Sequence, residues 1–299
     1  MQTFNRWPSR SPIRLLWLFF LALSACTPLA ATPTLSTEIT QPPTQTHTPA
    51  SSATPRPSKT PAPSPTPTST DVILIGAGDI SICGQDGDDQ TAALLAQYPQ
   101  ALIFTAGDNS NEDGSLKQYT QCFGPSWGQF LERIRPAAGN HDYTSVDAAD
   151  YFSYFGTAAG NPDAGYYSYD AGSWHIVVLN SNCNRINCNP EGPQLTWLKA
   201  DLEAHPNACS LAIFHHPRFT SGLTEGGALY NFWDILYQHN TEIVINGHDH
   251  DYERFAPQNP LGQADPLGIR EFVVGTGGTS QYGLGTRKAN SEVFHSGSF

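Results

Sequence analysis

The sequence predicts an α/β domain built on a mixed or parallel sheet, and three features carry that prediction. Short apolar runs rich in β-branched residues recur along the chain. Turn residues close each run. Stretches with helical periodicity lie between the runs. Continuous apolar runs, unlike alternating ones, read as strands buried on both faces.

The expected strands are Val72–Ile75, Ala101–Phe104, Trp174–Leu179, Leu211–Phe214, Ile243–Ile245 and Phe272–Val274. A helix is expected over Thr91–Tyr98, with Leu94 and Leu95 near one face. A second is expected over Pro193–Ala204, where Pro suits the first turn and Leu195, Leu198 and Leu202 line one side. A third candidate is Gly227–His239. Strands alternating with helices define the α/β class.

This domain occupies residues 71–299 of the 299-residue chain. Ahead of it, Arg6, Arg10 and Arg14 precede the apolar run Leu15–Leu23, and Ser24-Ala25-Cys26 follows. A basic head, a short apolar run and small residues form an export signal. The run is shorter than the roughly 20 residues that span a bilayer. Leu23-Ser24-Ala25-Cys26 also resembles the lipobox of bacterial lipoproteins. That resemblance implies lipidation of Cys26, removal of what precedes it, and a cell-envelope location. Residues 27–70 are mostly Thr, Pro and Ser, which cannot bury a core, and read as an extended, disordered stalk. The chain is expected to meet the membrane through the lipid alone. The chain ends at Phe299, soon after Thr279-Ser280, so a shortened C-terminus with an exposed sheet edge is expected.

In an oxidising compartment disulfides persist. Cys183 with Cys188 is the first expected pair and Cys83 with Cys122 the second; Cys209 is expected to pack as a small hydrophobe. From Asp71 onward, 10 Lys and Arg face 26 Asp and Glu, a balance of −16. That excludes a basic patch for gripping nucleic acid. Acidic clusters suit metal cations, although acidity alone favours the plainer reading of solubility.

Polar residues recur where the apolar runs end. The series is Gly78-Asp79, Gly107-Asp108-Asn109, Gly139-Asn140-His141-Asp142, His215-His216-Pro217 and Gly247-His248-Asp249-His250. In open α/β sheets the ligand site lies at the carboxyl ends of the strands, so these groups are expected to converge. Asp, Asn and His together suit Zn, Fe or Mn. Each element alone has a structural reading, such as a helix cap for Asp79. Gly76-x-Gly78 hints at a dinucleotide loop, but Ser81 stands where a third Gly belongs. His248 and His250 read as a chelating pair on one side of an extended segment.

The ordered set resembles the calcineurin-like metallophosphoesterase family, from about residue 72 onward. The tail Asp251-Tyr252-Glu253-Arg254 resembles its purple acid phosphatase branch. The resemblance implies a two-sheet α/β sandwich with a dinuclear metal site at the strand ends. It implies a first metal on Asp79, Asp108 and His250, and a second on Asp108, Asn140, His215 and His248. It further implies hydrolysis of small phosphoric esters by a hydroxide held between the metals. His141 would contact phosphate or protonate the leaving group, and Asp142 would hold its imidazole. Arg218 and Arg254 are candidate substrate-side cations, and Gly275–Gly278 reads as an anion cradle or a tight turn. Two positions depart from the pattern. Asn111 stands where purple acid phosphatases carry Tyr, and Ser81 where the wider family often has His. Asn111, Glu112, Asp113 or water is expected to complete the first site. A phosphodiesterase or nucleotidase, or a binding protein on the same scaffold, are the competing readings. No motif addresses the oligomeric state.

Overall fold

The computed structural model describes residues 72–162, 164–206, 208–222, 229–283 and 285–297, and the backbone of 19–23. Cys26 and the stalk 27–70 lie outside the described residues. Val72–Ala77 (β2), Leu102–Ala106 (β3) and Ile134–Ala137 (β4) run parallel side by side. Phe19–Leu23 (β1), part of the run read as the export signal, pairs antiparallel with β2. These form a four-stranded sheet in the order β1-β2-β3-β4.

The second sheet holds Tyr167–Ala171 (β5), Trp174–Val178 (β6), Cys209–Ile213 (β7), Ile243–Asn246 (β8), Tyr252–Phe255 (β9), Arg270–Val274 (β10) and Ser291–His295 (β11). Its seven strands follow the order β11-β9-β10-β8-β7-β6-β5. The central strands β6, β7, β8 and β10 are parallel, and β5, β9 and β11 pair antiparallel at the flanks. The helices are Gly87–Leu95 (α1), the single turn Leu116–Gln118 (α2), Ala149–Phe155 (α3), Pro193–Ala204 (α4) and Tyr230–Gln238 (α5).

Burial on two faces explains the continuous apolar runs. Leu74, Phe104, Ile176, Val178, Leu211 and Ile213 share one core between the sheets. Their neighbours alternate outward. Ile75 and Ile103 pack with Leu95, Trp127 and Phe155 on the outer face of the first sheet. Val177, Ala212 and Val244 pack with Leu198 of α4 and Trp233 of α5 on the outer face of the second. The result is a two-sheet sandwich with helices on both outsides, as expected. Trp127 and Trp233 are fully buried, and each such side chain contributes about 1.5–3 kcal/mol of transfer free energy.

The departures from expectation have local causes. Helix α1 starts at Gly87 and ends at Leu95, ahead of the expected span. Asp88 and Asp89 in its first turn suit the helix dipole. A Cβ on Gly87 would meet the Gly278 carbonyl at 2.1 Å, so this start is set by tertiary packing. Strand β4 was not among the expected strands; it carries Pro136 and is the edge of its sheet, where Pro is tolerated. Strand β11 covers β9 as the far edge of the second sheet.

Cys83 pairs with Cys122 and Cys183 with Cys188. Cys209 is buried in the inter-sheet core. Among the described residues, no helix is long and apolar enough to cross a membrane.

Candidate metal centre

The parallel strands deliver their C-terminal ends to one rim. Asp79 follows β2, Asp108 follows β3, Asn140 and His141 follow β4, His215 follows β7, and His248 and His250 follow β8. Asp79, Asp108 and His248 adopt left-handed φ values of 59°, 50° and 73°. Such residues cost on the order of 1–3 kcal/mol each and mark functional turns. Gly107 has a φ of 88°, and a Cβ there would lie 2.5 Å from His215 Nδ1. On Gly139 a Cβ would lie 2.1 Å from Asp108 Oδ1. Glycine at both positions lets the loops close on the carboxylate and the imidazole.

One group of donors surrounds His215. Its Nε2 lies 3.0 Å from Asn140 Oδ1, 3.1 Å from His248 Nδ1 and 3.2 Å from Asp108 Oδ2. Separations of about 3–3.4 Å are those of ligands sharing a cation with bonds of about 2.1 Å. Nδ1 of His215 donates to the Ala106 carbonyl at 2.9 Å. That fixes the tautomer of the neutral ring, in which Nε2 is the nitrogen available to a cation. A second group surrounds His250, whose Nε2 lies 3.3 Å from Asp79 Oδ1. Its Nδ1 donates to the Ser280 carbonyl at 2.8 Å. Donor atoms of Asp79, Asp108 and His215 lie within 4.8 Å of one another, which joins the two groups through the carboxylates. The other carboxylate oxygens are held by backbone: Asp79 Oδ2 accepts the His248 N–H at 2.7 Å, and Asp108 Oδ1 accepts the His141 N–H at 2.8 Å.

Electrostatics call for cations here. Burial pushes the Asp79 carboxyl up, yet the imidazoles of His250, His215 and His248 outweigh it and hold it low. Burial likewise raises Asp108, and His215 overrides it. Burial lowers His215, but Asp108 and Asp79 lift it to about 9. Burial lowers His250 too, and Asp79 overrides it upward. Burial and then His215 push His248 down to about 4, so it stays neutral. Two buried carboxylates thus draw protons onto neighbouring imidazoles. Buried charges need partners, and an Asp/Asn/His donor set with Asp79, Asp108, His215 and His250 buried fits two divalent cations.

All six expected ligands converge, but several finer expectations change. His248 and His250 do not chelate together from an extended segment. The bend at His248 sends its Nδ1 toward His215, while His250 turns toward Asp79. Asp142 does not hold the His141 imidazole. It accepts from the backbone N–H groups of Gly139 and Asn109, from the Asn109 amide and from Tyr119. Asp142 thus ties the Asp108 and Asn140 loops together. His141 Nδ1 instead donates to the Glu112 carbonyl at 2.9 Å, and its Nε2 lies 3.9 Å from Asp108 Oδ2. His216 pairs with Ser181 at 2.8 Å, and burial drives it down to about 2. Arg254 pairs with Glu292, and Arg218 donates to the Pro260 carbonyl. Gly275–Gly278 is packed against backbone: a Cβ on Gly275 would meet the Asp249 carbonyl at 2.0 Å.

Tyr282 was not expected at the site. Its ring stacks on His250 at 4.0 Å, and its hydroxyl lies 3.3 Å from His250 Nε2. No motif precedes it in sequence, so only the folded chain brings it to view.

A family model described as calcineurin-like phosphoesterase matches residues 67–252. The chain belongs to this family. Purple acid phosphatase 23 of Arabidopsis thaliana is 28% identical over 188 residues, 56% of this chain and 40% of that relative. The chain spans about half or less of the curated purple acid phosphatases it matches. Purple acid phosphatase PPD1 from yellow lupin seeds superposes with a TM-score of 0.61 at 17% identity, over 74% of this chain and 47% of that one. GAP50 of Plasmodium, described as the anchor in the inner membrane complex, gives 0.55 at 16% identity, over 75% and 77%. Those two structures share the sandwich of this calcineurin-like phosphoesterase.

Proposed function

We propose that this calcineurin-like phosphoesterase hydrolyses small phosphoric esters at a dinuclear metal centre. The observation that carries the reading is the pair of donor groups joined at Asp108. Asp79, Asp108 and His250 would hold the first ion; Asp108, Asn140, His215 and His248 would hold the second. Zn, Fe or Mn suits the donors. Bound ions supply Lewis-acid charge that activates water and neutralises phosphoryl oxygens. The chain's own residues do the rest. Ala106 and Ser280 carbonyls aim the imidazoles. His141, anchored by Glu112 through Nδ1, presents Nε2 toward the centre to give a proton to the leaving oxygen. The purple acid phosphatase relatives support phosphatase chemistry, with a phosphodiesterase or nucleotidase of the same family as the alternative.

Elemental analysis of the purified domain, with aryl mono- and diester assays after reconstitution with each metal, tests this. An Asp108→Ala variant that kept the full rate would sink it.

We propose also that the chain is exported and anchored through lipidated Cys26. Two formed disulfides support an oxidising compartment. Processing at Cys26 would remove β1 and leave β2 as the sheet edge. Labelled-palmitate uptake checks this: a mature protein without lipid rejects the anchor.

A further inference from the structure

The first ion's partners named above are Asp79, Asp108 and His250, and both familiar sources of a further ligand are absent. Ser81 does not substitute, because its hydroxyl donates to the Asn109 carbonyl at 3.0 Å. Glu112 accepts from the Gln118 amide, and Asp113 accepts from the Ser115 N–H. Both carboxylates are exposed and thereby tied to the α2 turn.

Asn111 is different. It is buried at 7% exposure, and its backbone N–H donates to the Ser81 carbonyl at 2.9 Å. The parallel bridge between Ser81 and Ser110 fixes the adjoining backbone. Its side-chain amide lies 3.4 Å from Asp79 Oδ1 and 3.4 Å from His250 Nε2. With 3.3 Å between those two atoms, the three form a nearly equilateral triangle. A tetrahedral ion with bonds of about 2.1 Å has ligand edges of about 3.4 Å. The amide nitrogen occupies that corner as assigned. Rotating the amide by 180° exchanges nitrogen for oxygen without moving another atom. Tyr282 is the competing donor, but its ring is parallel to the imidazole, with 14° between planes. Its hydroxyl therefore lies over the ring face, off the in-plane direction of the Nε2 lone pair.

We propose that Asn111 completes the first metal site through its side-chain carbonyl oxygen. This rests on the two-metal reading above. A neutral amide oxygen in place of an anionic ligand suits a divalent ion, and gives no phenolate to colour a ferric one.

The test is equilibrium titration of the metal-free protein with cobalt(II), followed by absorbance and by ions bound per chain. Wild type is expected to bind two ions. Asn111→Ala should weaken one of them by at least about tenfold and spare the other. Asn111→Asp, which restores an oxygen at the same place, should bind both at least as tightly as wild type. This second variant separates loss of a ligand from loss of fold. Two unchanged affinities in Asn111→Ala, or a loss in Tyr282→Phe instead, would overturn the assignment. A wild type that binds fewer than two ions would overturn the two-metal reading and this one with it.

Discussion

The Nδ1 of His215 donates to the carbonyl of Ala106, the last residue of β3, across 2.9 Å. The two residues are 109 positions apart, yet this bond decides which imidazole nitrogen faces Asp108 and Asn140. His215→Ala should therefore remove one ion of two and lower the phosphatase rate by at least about 100-fold, while His250→Ala should remove the other. Metal counting on the two variants checks this. Loss of the same ion from both would contradict the division of ligands.

Metal binding should be proton-linked. His215 is lifted to about 9 in the metal-free protein, so at neutral pH an ion entering there displaces its proton. The sign follows: apparent affinity rises with pH until about 9 and falls as pH drops, by up to about tenfold per unit for this single proton. His248, pushed down to about 4, does not compete above that value. Calorimetric titration in buffers of different ionisation enthalpy measures the released proton. Release of none at pH 7 would contradict the charge state assigned to His215.

Gly139 and Gly107 are predicted to be intolerant of a single methyl group. An Ala at 139 would place Cβ 2.1 Å from Asp108 Oδ1, and at 107 it would meet His215 at 2.5 Å with φ at 88°. Either strain pushes a ligand off its place. Both variants should lose activity by about 100-fold or more, with melting temperature changed far less than activity. A control is Gly84→Ala, where nothing lies within 4 Å but φ is also positive. It should cost stability alone, on the order of 1 kcal/mol.

Much of this site was legible because ligands sit where strand signals stop. Asp79, Asp108, Asn140, His215 and His248 each follow an apolar run or a Gly, His250 stands two residues beyond His248, and parallel topology makes such ends converge. The partners of those ligands were not legible. Ala106 and Ser280 act through backbone carbonyls, which leave no trace in residue identity. Asp142 and Tyr282 have the right chemistry, but their targets depend on loop paths. Among the strands, β5, β9 and β11 escaped because they lie toward the sheet's flanks and mix polar with apolar residues. Strand β9 buries Glu253 and Phe255 and leaves Tyr252 and Arg254 half-exposed.

Asp142→Ala gives the sharpest test of what holds the rim together. The carboxylate accepts from Gly139 N–H at 2.7 Å, Asn109 N–H at 3.2 Å and Asn109 Nδ2 at 3.0 Å, as well as from Tyr119. Removing it strands several buried donors, each costing about 1–3 kcal/mol, partly offset because the buried charge is itself unfavourable. Burial and Asp108 raise its carboxyl to about 6, above the value of 3.8 for a free side chain. A folded-state value above the unfolded one means the group destabilises the fold when ionised. Its own contribution therefore improves as pH falls from about 6 toward 4. Wild type and Asp142→Ala should accordingly differ more at pH 5 than at pH 7.5, by about 1 kcal/mol or more in denaturant unfolding. The same variant should bind the second ion more weakly, because Asn140 sits between Gly139 and His141 on the loop that Asp142 anchors. A variant with wild-type stability at pH 5 and wild-type metal affinity would show that the two loops hold their places without this carboxylate.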